Sequence, residues 1–194
     1  MISPSLRSDL APTGKLRVGI NYGNPVLATR DPASGDLRGV AVDLALELGR
    51  RSGVPVELVG YEAAGKMVEG LQTGAWDAAF LAVDPGRTGE ISFTAPYIEI
   101  EGTYLVPAGS PLRAIADVDR EGVRIGLAAK SAYDLFFSRS LQRAQLVRAP
   151  DPNAAFELLV AGKVEVLAGV KQTLVTNAAK LTGSRVVDGR FMAI

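Results

Sequence analysis

Histidine and cysteine are both absent from the 194 residues. Their absence excludes Ser-His-Asp and Cys-His catalysis, thiol redox chemistry, disulfides and the usual zinc and iron–sulfur sites. An enzyme made from this chain would depend on carboxylates, Lys, Tyr, Ser or an oxygen-bound metal, and no cofactor is expected. The lack of cysteine suits an oxidising and a reducing compartment equally. Charge of one sign is also missing: 21 Lys and Arg balance 21 Asp and Glu. No overall field draws the chain to nucleic acid or to an anionic membrane. No apolar run approaches the roughly 20 residues of a membrane helix. The first ten residues, MISPSLRSDL, lack the apolar centre of a secretory signal. That leaves two readings open, a cytosolic chain and a mature chain carrying an added start Met.

What is present is ordinary for a globular protein: 47% hydrophobic and 22% charged residues, in a length that fits one large domain or two small ones. The stretch to Gly14 is polar, with two prolines, and reads as a loose arm. Leu16–Ile20 reads as a buried strand. Asn21–Gly39 reads as loop, with hairpin residues at Ser34–Asp36. Val40–Arg51 is helical, with Val40, Leu44 and Leu48 recurring at i, i+4, i+8. A strand at Val56–Val59, a helix at Lys66–Gln72 stopped by Gly74, and a strand at Asp77–Val83 complete a β-α-β-α-β series. That order predicts a parallel sheet with helices on its faces. Thr103–Val106 is a further strand.

After Pro107–Pro111 the pattern begins again. Strands are expected at Val123–Leu127 and Val164–Ala168. Helices are expected at Ser131–Leu141, with the capping pair Ser131 and Asp134; at Asp151–Ala161, with Asp151 as cap and Pro152 first; and at Lys171–Lys180. Two echoes connect the halves. Arg17-Val-Gly-Ile resembles Arg124-Ile-Gly-Leu, and Leu71-Gln-Thr-Gly-Ala-Trp-Asp-Ala-Ala resembles Leu159-Val-Ala-Gly-Lys-Val-Glu-Val-Leu. They suit two lobes of one architecture, with a cleft between them for a ligand and hinge closure around it.

The most specific stretch is Trp76-Asp-Ala-Ala-Phe-Leu-Ala-Val-Asp-Pro-Gly-Arg87, followed by Ile91-Ser-Phe-Thr-Ala-Pro-Tyr97. With the opening LRVGI, the segment Gly39-Val-Ala-Val-Asp-Leu-Ala and the restart Val123-Arg-Ile-Gly-Leu before Ser131, it resembles the bacterial extracellular solute-binding proteins of family 3. These are the polar amino-acid type of periplasmic binding protein serving ABC importers. The resemblance runs from about Leu16 to Ile194. It implies a type II periplasmic-binding-protein-like α/β fold of two lobes, each a mostly parallel sheet flanked by helices, with the ligand cleft between them. The expected division is 1–106 for the first lobe, 107–190 for the second and 191–194 for the start of a return crossover. The expected activity is binding rather than catalysis, the expected partners are a small-molecule solute and an ABC permease, and the expected location is the periplasm.

The resemblance also assigns residues. Arg87 takes the position that holds the ligand carboxylate, and an arginine fork matches a carboxylate with two parallel hydrogen bonds. Ser131, at a helix start, can receive an anion or serve as a plain cap. Asn21, Tyr22 and Asn24 follow the first strand, and Tyr61 and Glu62 the second, at positions that face a ligand side chain. Trp76, Phe136 and Phe137 read as packing residues. The glycines of 86–89 make no phosphate loop, since no Lys-Ser/Thr follows.

Three departures qualify the likeness. Asp84 stands where the family has a neutral hydroxyl; it can pair with Arg87 or take a cationic ligand group. Val170 falls where binders of α-amino acids carry an acidic residue for the ammonium, and Lys171 beside it is a candidate second anchor for a carboxylate. The chain stops at Arg190-Phe-Met-Ala-Ile where the family crosses back to its first lobe, so a shortened form, compensated by self-association of what is otherwise a monomer, is expected. Two other functions stay open: a dehydratase-like enzyme on the same fold, for which Val170 supplies no proton donor, and a non-transporting sensor module.

Overall fold

The computed structural model describes residues 2–194. The first element is a helix, α1 (Pro4–Leu10), where the sequence suggested a loose arm. Its cause is local: Ser3 accepts a hydrogen bond from the Leu6 N–H at 3.2 Å, and Pro4 fits the first helical turn, where its missing N–H costs nothing. None of its residues is buried.

By its contacts the described chain forms two compact units, one ending at Leu81 and the other running from Ala82 to Ile194. In the first unit β1 (Leu16–Asn21) is followed by the hairpin strands β2 (Thr29–Arg30) and β3 (Leu37–Arg38), which bracket the expected turn. Then come α2 (Val40–Ser52), β4 (Val56–Tyr61), α3 (Ala64–Gln72) and β5 (Ala78–Ala79). The three-stranded sheet has the order β4-β1-β5 and is wholly parallel. Leu16, Val18 and Ile20 of β1 pack with Ala41, Val42 and Ala45 of α2 in one buried cluster.

The apolar spacing of α2 does not mark its buried face, and one expected strand is shorter than read. The face of α2 that meets the sheet is the small one, Ala41, Val42, Ala45 and Gly49; Val40, Leu44 and Leu48 are exposed. The reason is closeness: a Cβ at Gly49 would lie 2.2 Å from Val56 Cγ2, so the larger residues cannot occupy that side. The strand expected over Asp77–Val83 pairs only at Ala78–Ala79, opposite Val18–Gly19. The chain leaves the sheet at Phe80 and contains no further element until β6.

The second unit holds β6 (Glu101–Val106), β7 (Arg124–Ala128), α4 (Ala132–Ser140), β8 (Gln145–Ala149), α5 (Pro152–Val160), β9 (Val166–Val170), α6 (Lys171–Ala178), β10 (Arg185–Val186) and β11 (Met192–Ala193). Its sheet order is β10-β6-β9-β7-β8, with β11 also on β6. The pairs β7·β8 and β7·β9 are parallel, and β6 runs antiparallel to β9 with Gly102 opposite Val170. Residues 82–106, grouped with the first lobe in the sequence reading, fall in this unit by contacts. Both faces of the sheet are covered, so its central strands bury consecutive residues. Tyr104, Val106, Ile125, Leu127 and Val166 belong to one core cluster, and Leu105, Leu159, Leu167 and Leu174 to another. Strand β8 escaped the sequence reading because Gln145 and Arg148 break its apolar pattern at the sheet edge.

Candidate functional site

The loop after Leu81 turns tightly at Asp84, whose carbonyl accepts the Arg87 N–H at 2.9 Å. This turn directs the Arg87 side chain inward, and the residue is only 4% exposed. Its guanidinium donates from Nη1 to the Ala82 carbonyl at 3.0 Å and from Nη2 to the Lys130 carbonyl at 2.9 Å. Both partners are neutral. Burial pushes its pKa down, opposed by the charge of Asp84. A guanidinium has five N–H donors, so the two carbonyl bonds leave most of the fork's donors for another acceptor.

Lys130 is set up to serve this arginine. It adopts a left-handed backbone, φ 57°, which side chains other than glycine rarely do. The turn presents its carbonyl to Arg87 and its N–H to Asp134 Oδ2 at 2.7 Å. Ser131 then caps α4, accepting the Asp134 N–H at 3.2 Å. Asp134 is 4% exposed and also accepts from Arg148 Nε at 2.9 Å and the Ser138 hydroxyl at 3.3 Å.

Asp84 hydrogen-bonds Arg139 rather than Arg87. Its oxygens accept two bonds from Arg139 Nη1 and Nη2, at 3.1 and 2.8 Å, and one from the Gly86 N–H at 2.7 Å. Burial raises its pKa, but the bonds from Arg139 and Gly86 and the charges of Arg139 and Arg87 outweigh that and hold it below the usual carboxylate range. Sequence reasoning missed Arg139, Arg148 and Asp134 as a network. Arg139 lies 55 positions from Asp84 on another element, and no local pattern couples them.

Arg87 thus reaches the Lys130–Ser131 turn before α4, and Asp84 reaches Arg139 in the last turn of that helix. Lys171 does not join them: its Nζ bonds Glu101 Oε2 at 2.8 Å, and Arg190 reaches Glu101 Oε1 at 3.4 Å. Lys171 holds the Glu101 carboxyl below its ordinary range, with help from Arg190. Glu101, Lys171, Gln172 and Val175 line a shallow surface depression. Val170 ends β9 and is buried, at the position where α6 begins.

In the first unit, Asn21 and Asn24 use their side-chain oxygens to accept the Gly23 and Val26 N–H groups at 3.0 and 3.3 Å, fixing the loop after β1. Tyr22 lies beneath Arg30, whose Cζ is 5.6 Å from the ring centre. Tyr61 packs over α3 with its hydroxyl close to Gly70, and burial pushes its pKa up. Glu62 pairs loosely with Lys66 at 3.7 Å. Trp76 is buried and donates to the Met67 carbonyl at 2.8 Å. Among the described residues, no group of three or more acidic side chains could hold a metal ion. None of their helices is long and apolar enough to cross a membrane.

Comparison with known proteins bears on the fold and the family. A solved ancestral amino acid-binding protein, AncCDT-1, described as a precursor of cyclohexadienyl dehydratase, aligns with TM-score 0.77 and 23% identity, covering 97% of this chain and 82% of that one. A solute receptor for L-cysteine from Neisseria gonorrhoeae aligns with TM-score 0.80 and 24% identity, covering 96% and 77%. At such identities the likeness establishes the fold, a type II periplasmic-binding-protein-like α/β fold. The virulence sensor protein BvgS of Bordetella pertussis is 26% identical over 131 residues, 66% of this chain. The chain spans about a tenth of that relative's length. The model of the bacterial extracellular solute-binding proteins, family 3, matches residues 16–183, and the chain belongs to that family.

Proposed function

We propose that the chain is an extracytoplasmic solute receptor that binds a small carboxylate-bearing solute, amino-acid-like or amino-free, through Arg87 and delivers it to an ABC permease. The observation that carries this reading is Arg87 itself: a buried guanidinium whose hydrogen-bond partners are two neutral carbonyls. A buried cation hydrogen-bonded only to neutral carbonyls is costly even with the charge of Asp84 nearby, and a carboxylate taken by the fork's remaining donors would relieve the cost with two charge-assisted bonds. Ser131 and the first turn of α4 add donors beside it. In the first unit, Asn21, Tyr22, Asn24, Tyr61 and Glu62 are proposed contacts for the rest of the solute. Membership in an extracellular family supports a periplasmic location.

A second reading, a sensor module rather than a transport receptor, is favoured by the similarity to a protein named as a virulence sensor. A permease gene beside this one argues for transport; fusion of the parent gene to a signalling domain argues for sensing. A dehydratase activity draws support only from the name of the ancestral relative, and turnover of prephenate or arogenate would establish it.

The test is a thermal-shift screen of amino acids, amino-free carboxylates and small cations against the parent and Arg87→Ala. A ligand at 100 times its Kd stabilises the native state by about 2.7 kcal/mol, a visible shift. Carboxylates are expected to shift the parent and not the variant. A folded parent that no carboxylate shifts, or a variant that responds equally, contradicts the reading.

A further inference from the structure

The turn that positions Arg87 also buries a carboxylate, and that carboxylate is already neutralised. Asp84, 3% exposed, is gripped at both oxygens by the Arg139 fork and again by the Gly86 N–H. Asp134, on the other side of the Lys130 turn, is filled in the same way by Arg148, Ser138 and the Lys130 N–H. Arg87, Arg139 and Arg148 therefore face Asp84 and Asp134, and the excess positive charge rests on Arg87. The other candidate anchor, Lys171, spends its charge on Glu101, and Val170 beside it has no charge to offer.

We propose that this arrangement selects carboxylates that lack an α-ammonium group, with Arg139 as the positioning residue that withdraws Asp84 from the solute. The inference rests on the reading of Arg87 as the carboxylate clamp. In an α-amino acid the ammonium is two bonds from the carboxylate carbon, so seating the carboxylate on Arg87 brings the ammonium into the same neighbourhood. There it would lose its water, meet an excess of positive charge and find both buried carboxylates of the cluster filled. Desolvating a cation without a partner is strongly unfavourable, and like charges at short range in a poorly screened site add to the cost. An amino-free acid presents the same carboxylate to the same fork and carries none of this.

Calorimetric titration with matched pairs tests the proposal: phenylalanine with 3-phenylpropanoate, glutamine with 5-amino-5-oxopentanoate, arginine with 5-guanidinopentanoate. The expected result with the parent protein is that, in every pair that binds, the amino-free member binds at least tenfold more tightly. An amino acid that matches or exceeds its partner overturns the inference and leaves the Arg87 reading standing; no binding by any member overturns both. Arg139→Met, which releases Asp84, should move the affinity ratio at least tenfold toward the amino acid, and Arg139→Lys should restore the parent ratio. An unchanged ratio in folded Arg139→Met removes Arg139 from the account. The parent ratio needs no variant, so the proposal is decided even where Arg139→Met does not fold.

Discussion

Single residues hold the loops of each unit, and their tolerances can be read from the packing. Gly23 follows Tyr22 in the loop after β1, and a Cβ there would lie 1.9 Å from the Glu62 carbonyl oxygen. That neighbour is backbone, so the loop itself must move. Gly23→Ala should cost about 1–3 kcal/mol by overpacking, read as a lower urea midpoint with an unchanged slope; a wild-type midpoint would show that the two loops are not held together. Arg87 was legible in the sequence only through its place in a longer pattern, since alone it is one arginine in a glycine-rich turn. Its neighbours were not legible. Whether Asp84 faces Arg87, Arg139 or solvent depends on how α4 packs, and an ion pair between residues 55 positions apart leaves no periodic trace.

The two units repeat one device at the level of the element. Arg17, second in β1, donates its backbone N–H and its Nε to Asp77 Oδ2 at 2.9 and 3.0 Å and Nη2 to Oδ1 at 2.6 Å, while Nη1 reaches the Gly74 carbonyl. Arg124, starting β7, makes the equivalent bonds to Glu165 at 2.7, 3.0 and 2.7 Å and reaches the Gly162 carbonyl. In each unit the acid lies three residues after a left-handed glycine, φ 60° at Gly74 and 64° at Gly162. The echo seen in the sequence is thus a clamp joining the end of a helix turn to the start of a neighbouring strand. The first clamp is better shielded: the Asp77 side chain is 10% exposed and that of Glu165 39%. Asp77→Ala should therefore lower Tm by several degrees and Glu165→Ala by much less; the reverse order would refute burial as the deciding factor. The sequence showed most helices and central strands because their periodicity is local. It did not show which face of α2 is buried, since apolar spacing marks a stripe without saying whether the sheet comes close enough to demand Ala41, Ala45 and Gly49 instead.

Across the whole molecule, the missing histidines shape the response to pH. No side chain of that type titrates between about pH 5 and 8, so stability should be nearly flat there. Asp77, Asp84 and Glu165 all sit below their ordinary pKa in the native state. Bonds from Arg17 and Arg124 lead for Asp77 and Glu165; for Asp84, Arg139 and Gly86 outweigh an opposing burial effect. Each unfolded carboxyl binds its proton first as pH falls, so the stability these groups contribute is complete above about pH 4–4.5 and is lost as pH drops through the depressed native values. Urea midpoints measured from pH 8 to 3 should be level and then fall below about pH 4; a decline already under way at pH 6 would contradict the assignment. The fold class and the order of most elements were readable because they follow from apolar patterning, whereas the charge balance around Arg87 emerges only once α4, β8 and the loop at 82–87 are assembled.

The central claim, that the Arg87 fork receives a carboxylate, is tested most directly by calorimetric titration of one carboxylate that binds the parent into Arg87→Lys, with the unliganded Tm as the control for folding. Lysine keeps the charge and loses the planar fork. The account predicts at least a tenfold weaker affinity in a variant that remains folded; equal affinity would mean that the carboxylate binds elsewhere.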